Sequence, residues 1–184
     1  VPPQLIGIYS PARQHGKSTI ANTLVEQGYR IHKFAGLLYR MWDALLEEAG
    51  VPDMIRRRSI MDLKETPIVQ AGGLSFRTFA EGVGTKWGRE MFNENVWVDI
   101  NRSALQYKLD RAQRIVVDDM RFPNEFALIK ELGGSCISVV RASGTKPSLP
   151  SEGHLATACF DRSFYNDGTV ATLQAGVRAW LQAA

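Results

Sequence analysis

The stretch that most constrains the fold is "LIGIYSPARQHGKSTIANTLVEQG", Leu5 to Gly28. Its first five residues form an apolar run too short for a helix, closed by Ser10 and Pro11, which reads as a buried strand. From Lys17 onward Ile20, Leu24 and Val25 share one face, and Gly28 ends the pattern, as at a helix with a glycine C-terminus. A buried strand that passes through a polar loop straight into a helix is the opening unit of an α/β fold with a parallel sheet.

The later elements continue that alternation. "YRIHKFA" reads as a second short strand and "GLLYRMWDALLEEAG" as an amphipathic helix ending at Gly50. Between Ala35 and Asp110 no segment has the pattern of a strand, so residues 36–110 are expected to form a helical insertion between strands 2 and 3. "RIVVDD" is a third strand, and the helix after it has Pro123 at its first position and Gly133 at its end. "SCISVVR" is a fourth strand, residues 141–160 a lid-like loop, and Ser163 to Tyr165 a fifth strand. Thr169 is a plausible N-cap for the last helix. The expectation is a single domain over residues 1–184, a three-layer α/β fold with about five parallel strands.

Chemistry concentrates at two strand ends. G-K followed by Ser or Thr arises by chance in about one chain in ten of this length. Its position at the strand-to-helix turn is what gives it meaning. Loop amides and the helix N-terminus face a phosphate there, a lysine reaches the β- and γ-phosphates, and a hydroxyl ligates Mg²⁺. Those roles fall to Gly16, Lys17 and Ser18, with Thr19 following and Arg13, Gln14 and His15 filling the loop. His15 is expected to serve through its backbone rather than its imidazole. At the end of the third strand, Asp118 and Asp119 lie at the carboxyl edge of the sheet, where open α/β folds bind ligands. If the strand runs through both, they point to opposite sides and only one faces the ligand. Arg121 follows, able to clamp a phosphoryl oxygen bidentately.

Composition narrows the class of partner. With a net charge of +3 and no basic stripe beyond "RRR" at Arg56 to Arg58, nucleic acid ranks last among partners. Two cysteines give neither a disulfide framework nor a metal-ligand spacing, and Cys136 reads as a small core residue, pointing to reducing surroundings. No apolar stretch approaches 18 residues, and "VPPQL" lacks the layout of a secretory signal. A cytoplasmic location is expected, and a homodimer is left open.

Taken in order, the strand-loop-G-K unit, "FAG", an arginine followed by "GVGTKWGR" and "VWV", "DDMRFPNE", "SVVR" and "NDGT" resemble the deoxynucleoside monophosphate kinases of tailed bacteriophages. The resemblance runs from Leu5 almost to the C-terminus. It implies a P-loop NTPase fold in which ATP, with Mg²⁺, donates its γ-phosphoryl to a deoxynucleoside 5′-monophosphate in the cytoplasm of a phage host. Arg13, Gln14, His15, Gly16, Lys17, Ser18, Thr19 and Arg141 would then contact ATP, and "NDGT" would form the adenine-side loop. Arg77, Gly84, Thr85, Trp97, Asp119 and Arg121 would surround the monophosphate. Lys17, Asp119 and Arg121 would be catalytic, with Ser18 and Asp119 at the metal. The chain departs from the pattern at Pro11, where a glycine is usual, at Ser18, where relatives often have aspartate, and at Leu37 and Tyr39 after "FAG". The His-x-x-Glu pattern of the family is not matched cleanly by Glu152 and His154. Two other readings are a P-loop kinase of another small acceptor and a non-catalytic module that binds nucleotide or nucleic acid.

Overall fold

The computed structural model describes residues 1–146 and 153–183. Five strands form one sheet: β1 (Leu5–Tyr9), β2 (Arg30–His32), β3 (Ile115–Val117), β4 (Ser135–Val140) and β5 (Arg162–Tyr165). Their order is β2-β3-β1-β4-β5 and every pairing is parallel. The expected α/β fold with five parallel strands is what the chain forms.

Alternation along the strands builds two cores. Ile6, Ile8, Val116, Ile137 and Val139 face one side with Ile20 and Leu24 of α1 (Lys17–Glu26) and Leu173, Val177 and Leu181 of α7 (Val170–Ala183). Leu5, Tyr9, Ile115, Val117 and Cys136 face the other. There they meet Leu105 of α5 (Val96–Leu109) and Leu128 and Ile129 of α6 (Pro123–Glu131). Helices therefore cover both faces, a three-layer α/β arrangement. Each fully buried aliphatic side chain contributes about 1.5–3 kcal/mol, so a three-residue strand such as β3, buried throughout, is held by packing. Cys136 belongs to this core as expected, and burial pushes its thiol up to about 12 against the opposing pull of Lys130.

Topology fixes where a ligand can sit. β1 leads through α1 toward β2, while β3, next to β1, leads through α6 toward β4 on the opposite side. The loops leaving β1 and β3 thus part to opposite faces of the sheet. Such a divergence opens a crevice at the carboxyl ends of the strands. Thr169 caps α7 by accepting the Thr172 N–H at 3.1 Å.

The chain divides into two compact units, residues 1–34 with 98–184, and residues 35–97. The helical segment expected over 36–110 thus groups by itself only as far as Trp97, and α5 from Val98 onward counts with the sheet. The second unit contains α2 (Gly36–Glu48), α3 (Asp53–Met61) and α4 (Phe76–Glu81), and its strand content is one bridge, Ile68 to Leu74. Its own core is Trp42, Leu46, Val51, Ile68, Phe76 and Phe79. By propensity the glycines of "GVGTKWG" favour an interruption of the helix there. Instead the chain continues as a π-helix, Gly82–Phe92, closed by the Asn93 N–H to the Gly88 carbonyl at 2.9 Å.

Of the lid-like loop expected over 141–160, residues 147–152, Glu152 included, lie outside the described residues. Among the described residues, no helix is long and apolar enough to cross a membrane.

Candidate active site

The loop after β1 is shaped by its backbone. Gln14 has φ 63° and Gly16 φ 104°, both left-handed, and only glycine adopts that region without cost. A Cβ on Gly16 would also overlap the Asn166 amide nitrogen. Conformation and space both demand glycine here. No side chain caps α1, so the amides of its first turn keep their capacity for an anion. Ser18 is exposed beside them.

Lys17 opens that helix. Burial first and then the Arg121 guanidinium, with a smaller push from Lys33, lower its pKa to about 8 against the opposing pull of Asp119 and Asp118. The residues from the β1 and β3 ends therefore share one electrostatic environment. Three cations and two carboxylates meet there, and a desolvated ammonium beside a guanidinium is a combination that an anion stabilises.

The carboxylates differ in partners. Lys33 donates to both oxygens of Asp118 at 2.7 and 2.8 Å, and Asp119 accepts the Phe34 N–H at 2.9 Å. β3 ends at Val117, so strand alternation does not extend to the pair, and Lys17 senses both. Arg121 is set by its own backbone: its N–H donates to Glu125 Oε2 at 2.7 Å, and the Phe122 N–H donates to the same oxygen at 3.2 Å. Glu125 is a buried carboxylate three residues into α6, an N-terminal box that "FPNE" encodes.

A second hydrogen-bonded line supports Asp119. The Lys108 ammonium donates to His32 Nδ1 at 2.8 Å, and His32 Nε2 reaches Asn101 Oδ1 at 2.8 Å. Asn101 Nδ2 donates to the Phe34 carbonyl at 3.2 Å. Because Nδ1 accepts, Nε2 carries the ring proton. The line ends on Phe34, the residue whose N–H donates to Asp119.

His15 corrects its expectation. Its imidazole is 4% exposed and bonded on both nitrogens, to the Arg141 N–H and the Thr145 carbonyl, each at 2.9 Å. Arg141 lies beside the loop through its N–H to His15, and its Nε donates to the Asn166 carbonyl at 2.8 Å. Asn166 in turn donates to the His15 carbonyl at 2.9 Å, and Asp167 accepts the Ala142 N–H at 2.8 Å. Asn166, Asp167 and the start of the 141–160 loop thus pack together against the loop after β1.

The remaining site residues lie in the second unit. Arg77 is anchored by its Nε to Glu65 Oε1 at 3.0 Å and by its N–H to the Lys64 carbonyl at 2.9 Å. Trp97 is buried, and its indole N–H donates to the Gly84 carbonyl at 2.7 Å. Gly84 is buried and Thr85 half-buried on the same π-helix. Sequence reasoning missed Lys33, Glu125, Asn101 and the imidazole of His15. Only Glu125 had a local signal, its place three residues after the cap.

These residues fit a polyphosphate. The left-handed turn, the uncapped helix start and Lys17 present donors and positive charge together. Mg²⁺ in such sites takes most of its ligands from phosphate and water and needs one or two protein oxygens. The Ser18 hydroxyl and the Asp119 carboxylate are of the required type. Among the described residues no three His, Cys, Asp or Glu side chains group as a cage.

No family model and no curated protein matches the chain. Among solved structures it is similar to "TT1252 from Thermus thermophilus", with a TM-score of 0.49 and 21% identity, over 100% of this chain and 98% of that one.

Proposed function

We propose that the protein is a phosphotransferase that moves the γ-phosphoryl of ATP to a deoxynucleoside 5′-monophosphate, giving the diphosphate. The observation that carries the proposal is Lys17, desolvated at the turn out of β1 and sharing its surroundings with Arg121, Asp118 and Asp119 from the end of β3. Phosphoryl transfer asks a protein mainly to position the reactants and to neutralise charge, and this group of residues is of that kind. Lys17 and the first-turn amides would hold the β- and γ-phosphates. Arg121, whose backbone N–H is held by Glu125, would neutralise the transferring group. Bound Mg²⁺, held by Ser18 and Asp119, would supply charge neutralisation across the phosphates. The deoxynucleotide acceptor rests on the sequence resemblance, and Arg77, Gly84, Thr85 and Trp97 are the acceptor groups it names. For Arg77 this means giving up Glu65 for a phosphate, a charge-assisted exchange worth about 1.5–3 kcal/mol.

The test is ADP formation from ATP and Mg²⁺ with each common nucleoside monophosphate, deoxy and ribo. ADP release that depends on a deoxynucleoside monophosphate supports the reading. ATP binding with no transfer to any acceptor overturns it in favour of a binding module. Arg77→Ala and Arg121→Ala should each weaken monophosphate affinity more than ATP affinity, and an unchanged monophosphate Kd in both variants removes them from the acceptor site.

A further inference from the structure

A phosphate loop works through amides and a lysine, so a buried imidazole inside it calls for a separate reason. Taking an unbonded imidazole out of water is costly. His15 avoids that cost because both ring nitrogens are bonded, and both partners lie in one short segment more than a hundred residues downstream. Arg141 can only donate through its N–H, so Nδ1 accepts, Nε2 carries the proton, and the Thr145 carbonyl accepts from it. The same segment returns to the loop when Thr145 Oγ1 donates to the Arg13 carbonyl at 2.7 Å. A Cβ on Gly144 would overlap the His15 ring, so the ring lies flush against that backbone. Between these anchors stands Gln14, a non-glycine residue held at φ 63°. Left-handed backbone at such a residue persists only where its surroundings over-determine it.

We propose that the His15 imidazole is a positioning residue for the phosphoryl donor. It clamps the phosphate loop to residues 141–145 and thereby holds the left-handed turn at Gln14 and Gly16 that aims the loop amides and Lys17. The clamp rests on the ATP reading of the loop, and it adds a residue that touches no phosphate itself. Because it sets the loop before ATP arrives, its loss raises the cost of donor binding and leaves the acceptor alone.

Two substitutions separate hydrogen bonding from space filling. His15→Phe fills the volume without either hydrogen bond. His15→Asn keeps an acceptor within reach of the Arg141 N–H. In His15→Phe, ATP affinity measured by calorimetry should fall about tenfold or more, the size expected for two neutral hydrogen bonds. His15→Asn should recover part of it. The ATP KM should rise while the monophosphate KM stays constant, and amide exchange at 141–145 in the nucleotide-free protein should speed up. A merely structural role predicts a smaller active fraction with both KM values unchanged, and that result overturns the proposal. Should His15→Phe fail to fold, His15→Asn carries the test, and wild-type ATP affinity and wild-type exchange in that variant overturn it equally. Unchanged ATP affinity in both variants, with binding lost in Lys17→Ala, defeats the clamp and leaves the kinase reading standing. Failure of the wild-type protein to bind ATP defeats the kinase reading and the clamp's role in it together.

Discussion

Two glycine-bearing segments with a lysine, "RQHGKS" and "GVGTKWG", look alike in the sequence and are built on different physics. In the first, Gly16 is required by conformation, at φ 104°. In the second, Gly82, Gly84 and Gly88 lie in helical backbone, and where glycine is required it is by space. A Cβ on Gly88 would sit 2.6 Å from the Trp97 ring, while one on Gly82 would meet nothing within 4 Å. The lysines differ as well: Lys17 is half-buried beside charged groups, and Lys86 is exposed. A glycine that turns the backbone exposes amides to a ligand, and a glycine that makes room seats a neighbouring ring. Only the first use fits the anion site proposed at Lys17.

The comparison breaks most readily at Lys17. Lys17→Ala should lower turnover by about 10²–10³, or 3–4 kcal/mol, the usual cost of losing one preorganised electrostatic donor. A folded variant that keeps more than about a tenth of wild-type turnover in a coupled ADP assay would remove the lysine from the chemistry. Gly16→Ala comes next. It should abolish most ATP binding by calorimetry, because strain at positive φ and the overlap with Asn166 both move the loop.

Lys17 also gives the pH test, made on nucleotide-free and metal-free protein. Its pKa in the folded state, about 8, lies below the unfolded value near 10.4. Between those values the unfolded chain binds more protons, so this group makes stability rise with pH from about 8 to about 10. At pH 7 the desolvated cation is a cost. Lys17→Met should therefore be the more stable protein there by up to about 3 kcal/mol, and its advantage should shrink toward pH 10 in urea titrations. An advantage that does not change with pH would mean that the ammonium is not desolvated.

Smaller effects sharpen the other side of the comparison. Gly88→Ala should cost about 1–3 kcal/mol of stability through crowding against Trp97, with ATP affinity unchanged. Gly82→Ala should raise stability by about 0.5–1 kcal/mol, since the site is open and alanine favours helical backbone. Thermal denaturation of the two variants, with shifts of opposite sign, distinguishes glycines of one run that the sequence presents as equals.

Local pattern carried the sheet and the loop chemistry. Apolar runs gave the strands, and the turn into α1 singled out Lys17 by its place in the chain. Pro123 and Thr169 marked helix starts through effects that act within one turn. What was hidden depends on distant partners. The His15 ring meets Arg141 at a separation of 126 residues, and Lys33 meets Asp118 at a separation of 85. No periodicity reports such pairs. The π-helix was hidden for another reason. A glycine in that run looks like a break by propensity, and packing against Trp97 overrides it.

The central place of β1 has a consequence for how the molecule comes to exist. Gly7 pairs with Val117 on one side and Cys136 on the other, so β1, which precedes the other four strands in sequence, is fully paired only once β4 is in place. Contacts this distant in sequence make folding slow, because loop-closure entropy is lost before the contacts form. A ribosome-bound chain that has emerged only to Val117 leaves one edge of β1 open, and it lacks the 141–145 segment that His15 binds. An unpaired edge in an incomplete chain is a template for association with other strands. The loop after β1 thus takes its shape from a segment made more than a hundred residues later.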